Sequence, residues 1–161
     1  RGLGDVYKRQ RVMSGSDRTS LLHSMVTAMA PLEAVLLEAN WSRLAGAVNS
    51  LTRRRSLVVL LTPLEPAALE EGLLPVLPGL TQHHRVVVAS VADRSVLDTA
   101  SARDGAAQTY EAAAAERTIA LRARTTAALE RAGATVLDEP ADKLPVALVD
   151  HYLLLKRQGL L

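Results

Sequence analysis

The chain has 161 residues, of which 48% are hydrophobic and 2% aromatic, with a formal net charge of +2 and no cysteine. Without cysteine there is no disulfide framework, thiolate metal site or cysteine nucleophile, a composition that fits a reducing compartment. The basic excess comes from Arg1, Lys8 and Arg9 against Asp5 alone. The rest is charge-balanced, and beyond those ten residues Trp41, Tyr110 and Tyr152 are the only aromatics, so a nucleic-acid surface lacks both its electrostatic and its stacking ingredients. No apolar run reaches the roughly 18 residues of a membrane span.

Residues 1–10, "RGLGDVYKRQ", show neither hydrophobic period nor capping signal, and the composition changes abruptly after them. "DVYKRQ" reads as the translated mosaic-end adapter of a transposase-based sequencing library. On that reading 1–10 is a non-native tail, 11–161 is the later part of a domain, and the front of that domain is missing.

From Gly15 onward, helical and strand patterns alternate. Asp17 offers an N-cap to a helix carrying Leu21, Leu22, Met25, Val26 and Met29 and ending near Pro31. Asn40 is placed to cap a second helix with Leu44, Ala47, Val48 and Leu51 on one stripe, and Arg53 to Arg55 suit its C-terminus. "SLVVLLT" at 56–62 is a continuous apolar run, the pattern of a strand buried on both faces of a parallel sheet. A helical stretch over 66–82, interrupted near Pro75 and Pro78, precedes a second strand, "RVVVASV", at 85–91. A short helix capped by Asp93 and a long one from about Gly105 to Ala132 then lead through Gly133 into a third strand at 134–139. The last helix takes Asp142 as cap and Pro145 in its first turn, with Leu148, Tyr152 and Leu155 on the face that docks on the sheet. This order predicts an α/β fold: a doubly wound, mostly parallel sheet with flanking helices, Rossmann-like in architecture.

Ligands in such sheets bind beyond the carboxyl ends of the strands, which directs attention to 62–66, 92–95 and 138–142. None of these loops holds a phosphate-cradling glycine pattern. His83 and His84 are adjacent at a strand entrance, so their side chains point to opposite faces and do not form a ligand pair. His23 and His151 are single helical histidines. No catalytic constellation emerges.

The runs "PLEAVLLEANWSRLAGAVNSLTRRRSLVVLLTPLEP", "LLPVLPGLTQHHRVVVASVAD" and "YEAAAAERTIALRARTTAALERAGATVLDEPADKLPVALVDHYLLLKRQGLL" resemble the C-terminal part of the bacterial domain-of-unknown-function family 58. That resemblance implies a von Willebrand factor type A-like domain, whose divalent metal is bound by an Asp-x-Ser-x-Ser loop, a threonine and an aspartate. Here the loop is absent, the threonine position falls at Ala39 and the aspartate position at Pro63. The resemblance therefore implies no bound cofactor, with magnesium conceivable only in an intact protein where Glu38, Asn40, Thr62 or Glu65 replaces the lost ligands. These four are the candidate binding residues.

Members of that family are encoded beside MoxR-type AAA ATPases and carry membrane helices ahead of the type A domain. The implied role is a non-catalytic protein-interaction scaffold, partnered by such an ATPase on the cytoplasmic side of a bacterial membrane and membrane-bound only through the missing helices. The competing expectation is a fragment of an α/β enzyme, hydrolytic or nucleotide-binding, whose catalytic loop lies in the missing half. In the type A sheet the strand at 56–62 pairs with the first strand, so truncation leaves it unpaired and prone to association.

Overall fold

The computed structural model describes residues 18–31, 39–93 and 106–161. The chain divides into two compact units, 1–37 and 38–161. In the first, helix α1 spans Arg18–Met29, as the apolar spacing predicts, and leaves Leu22, Met25, Val26 and Met29 exposed. Its expected cap, Asp17, lies outside the described residues, as does the short helix expected from Asp93.

The second unit is an α/β domain. In chain order it contains α2 (Trp41–Leu51), β1 (Leu57–Leu61), α3 (Pro66–Ala68), α4 (Leu77–Thr81), β2 (Arg85–Val91), α5 (Ala106–Arg131), β3 (Thr135–Glu139) and α6 (Leu144–Arg157). The strands form one parallel sheet in the order β1-β2-β3, with Val59 opposite Val87 and Ala89 opposite Leu137. Helices cover both of its faces.

The pleat sends alternate residues to opposite sides, and the two cores follow that alternation. On one side Leu60, Val86 and Val88 pack with Leu69, Leu73, Leu77, Leu80 and Leu129, flanked by Trp41, Leu44 and Val48 of α2. On the other side Val87 and Ala89 pack under Leu144 and Leu148 of α6. The second core is the smaller: α6 packs chiefly on β2 and β3, and of β1 it is Leu57 that joins the cluster.

That arrangement corrects one expectation. β1 is not buried on both faces: Leu60 is buried, but Val59 is 39% and Leu61 71% exposed. It is an edge strand whose α6-side face joins the second core at Leu57 and is open at Val59 and Leu61.

Local chemistry explains the helix ends. Asn40 caps α2 as expected, its Oδ1 accepting from the Arg43 N–H at 2.9 Å. The helix stops at Leu51, before the arginines, which lie in a bend and not in its last turn. Its buried stripe is Trp41, Leu44, Ala45 and Val48, and Leu51 faces solvent. Between α3 and α4 the chain widens into a π turn over Leu69–Leu73, closed by the Leu74 N–H on the Leu69 carbonyl at 2.8 Å. The Trp41 indole lies against the backbone there, and a Cβ at Gly72 would run into it. Gly133 takes φ +90° directly after α5, the left-handed exit expected of it, beside a Thr81 hydroxyl that donates to the Ala132 carbonyl at 3.1 Å.

α6 begins at Leu144 with no side-chain cap, so Asp142 does not play the expected role. Tyr152 is also displaced from its expected face: Leu144, Leu148 and Leu155 turn inward, while Tyr152 is exposed with the Lys156 Nζ 5.7 Å from its ring centroid.

Two buried polar side chains carry a cost. His84, at the entrance to β2, is 3% exposed with neither ring nitrogen hydrogen-bonded, and Thr125 in α5 is fully buried with an unpartnered hydroxyl. A buried hydroxyl without a partner retains its desolvation penalty, so Thr125→Val, which keeps the shape, is expected to stabilise the fold by about 1 kcal/mol. Urea unfolding would show this as a higher midpoint at unchanged slope.

Candidate functional site

The parallel strands all point their carboxyl ends to one edge of the sheet, the edge at which ligands bind in open α/β domains. A cleft of about 400 Å³ opens there between the end of β2 and α5, and an adjoining recess reaches Pro140 and Asp142 after β3. The two meet at Ala92 and Asp93.

The length of α5 builds the cleft. Its 26 residues rise about 39 Å, whereas the seven-residue β2 rises roughly 23 Å. Leu129 anchors the C-terminal part of the helix in the core, so its earlier turns pass the carboxyl edge and wall the cleft with Ile119, Ala123 and Ala127. Thr118 and Thr126 add hydroxyls to an otherwise apolar lining.

Arg122 fixes the floor. Its Nη2 donates to Asp138 Oδ1 at 2.6 Å and to Ser90 Oγ at 3.2 Å, while Nε donates to Asp138 Oδ2 at 3.2 Å. This two-pronged pair ties α5 to β3 and β2 at once, with both side chains about three-quarters buried. The guanidinium charge is spent on Asp138. Ser90 is buried beneath the pair, and His84 stands at the opposite end of β2, out of reach as a base.

The candidate residues of the sequence fall elsewhere. Asn40 is the cap of α2. Thr62 follows β1, where its N–H donates to the Ala89 carbonyl at 3.1 Å and its hydroxyl lies 3.4 Å from the Pro63 carbonyl. Glu65 stands exposed at the start of α3, its carbonyl accepting from Leu69. Glu38 lies outside the described residues. Ala39 and Pro63 have no side-chain oxygen, and among the described residues no three acidic or histidine side chains converge on a metal position.

Sequence reasoning placed the loop side of the cleft, at 92–93 and 138–142, but missed the helix side. Arg122, Thr118 and Thr126 belong to a helix of low amphipathicity, and the available signal was its length relative to the strands. Among the described residues no helix is long and apolar enough to cross a membrane. No family model, curated protein or solved structure matches the chain.

Proposed function

We propose that the chain is a non-catalytic protein-interaction scaffold: the C-terminal part of a von Willebrand A-like protein of family 58, working with a MoxR-type AAA ATPase at the cytoplasmic face of a bacterial membrane. The observation that carries the interaction role is α6. It packs Leu144 and Leu148 against the sheet and buries Leu155, yet away from that face it exposes Val146 at 61%, Val149 at 56%, and Leu153 and Leu154 at nearly half. A helix apolar on both sides is one that something else covers.

Charge supports a partner held by shape more than by field. Asp150 interrupts the outer stripe, while Lys156 and Arg157 close its end. Such a surface suits an apolar groove with an acidic rim.

A photo-crosslinking residue at Val149 is expected to capture a purified MoxR-type ATPase, and Val149→Asp with Leu153→Asp to weaken binding about tenfold or more, or roughly 1.4 kcal/mol. Both positions are exposed, so the fold should tolerate the change. Wild-type chain that is folded and fails to bind the ATPase at micromolar concentration would remove the ATPase from this reading.

A further inference from the structure

We propose that the amino edge of the sheet docks on an anionic lipid surface. The inference is carried by where the fold places its charges and is independent of the ATPase reading.

Charge balance in the composition conceals segregation in the fold. Arg53, Arg54 and Arg55 lie on the stretch that leads into the amino end of β1, and Arg131 ends α5 shortly before β3. α6 follows β3 and packs back along β3 and β2, which brings Lys156 and Arg157 in its last turn to the same edge. All six are exposed, and none has an ion-pair partner among the described residues. Arg85 opens β2 at this edge, half-buried, with its Nε enclosed and without a hydrogen-bond partner. Glu130, the acid beside Arg131, lines the cleft. The carboxyl edge has the opposite sign: Glu65, Asp93, Glu139 and Asp142 stand at or after the strand ends, against Lys143 and an Arg122 already paired with Asp138.

Helix ends explain part of this pattern, because cations in the last turns of α5 and α6 complement the helix dipole. They do not explain Arg53 to Arg55, which lie beyond the last turn of α2. A domain polarised along its strands turns its positive end toward an extended negative plane.

Two features favour a bilayer over an acidic peptide or a nucleic acid. The cations come from the ends of separate elements and are spread over an edge, not strung along one groove. Among them stand exposed side chains of the kind that enter a headgroup layer: Leu51 beside the arginine run, and Tyr152 with the Lys156 Nζ over its ring.

Flotation of the full chain is expected to show binding to vesicles of mixed phosphatidylglycerol and phosphatidylcholine, none to phosphatidylcholine alone, and a decline as salt is raised. Arg53→Glu combined with Arg54→Glu should weaken binding about tenfold or more and leave the far-ultraviolet dichroism unchanged, because both side chains are exposed. Glu70→Lys, on the exposed turn that follows α3, raises the net charge away from the docking edge and should leave binding unchanged. Four results would overturn the proposal: equal binding to neutral vesicles, indifference to the arginine substitutions, a gain from Glu70→Lys as large as the loss from the arginines, or capture of a polyglutamate peptide without binding to the vesicles.

Discussion

Leu80→Ala is expected to cost about 2–5 kcal/mol of folding stability, against the roughly 5–15 kcal/mol available to a domain of ordinary stability. Leu80 is fully buried in α4, at a point where α2, α4 and β2 press together. Removing its isobutyl group loses transfer free energy and leaves a cavity, because Leu69, Leu73 and Leu77 around it are themselves fully enclosed and have no slack to fill it. Val149→Ala on the exposed side of α6 serves as the control and should stay within about 0.5 kcal/mol. Chemical denaturation of the two variants side by side measures the difference. Equal midpoints would mean that the leucine cluster is not the core.

Arg122→Met is expected to cost about 1–3 kcal/mol, and to cost much less when Asp138 is already asparagine. The single substitution leaves the Asp138 carboxylate about three-quarters buried without its cation, and takes a donor from Ser90. Most of the loss would come from those stranded groups and not from the net worth of the pair. A double-mutant cycle on denaturation midpoints should give a coupling energy of about 0.5–3 kcal/mol. Strict additivity would mean that the two-pronged contact does not hold α5 to the sheet. Because the pair forms the cleft floor, the same variant should also loosen the carboxyl ends of β2 and β3, seen as faster amide exchange at Ala92, whose N–H donates to the Glu139 carbonyl, and at Glu139.

The strands were legible because a parallel sheet asks for short runs of β-branched and leucine residues, which the chain supplies at β1, β2 and β3 with boundaries within a residue of those observed. The caps were legible where they depend on neighbours in the chain. Asn40 reaches an amide three residues on, and Gly133 takes a backbone angle set by the turn itself. Burial was less legible. The apolar run of β1 reads the same whether one face or both are covered, and the packing of α6 chiefly on β2 and β3 covers Leu57 while Val59 and Leu61 stay exposed. Tyr152 was misplaced for a related reason: α6 is apolar around much of its circumference, so periodicity does not say which stripe faces the sheet.

The cleft depended on tertiary structure most of all. Arg122 meets Asp138 across 16 positions and Ser90 across 32, and nothing local in any of the three segments announces the meeting. What the amino-acid order determined was the set of elements and their alternation, because hydrophobic period, turn residues and caps act over a few residues. Which faces those elements cover, which edge stays open and which charges meet in the interior were decided only when distant segments packed, since each is a property of pairs that the chain brings together by folding.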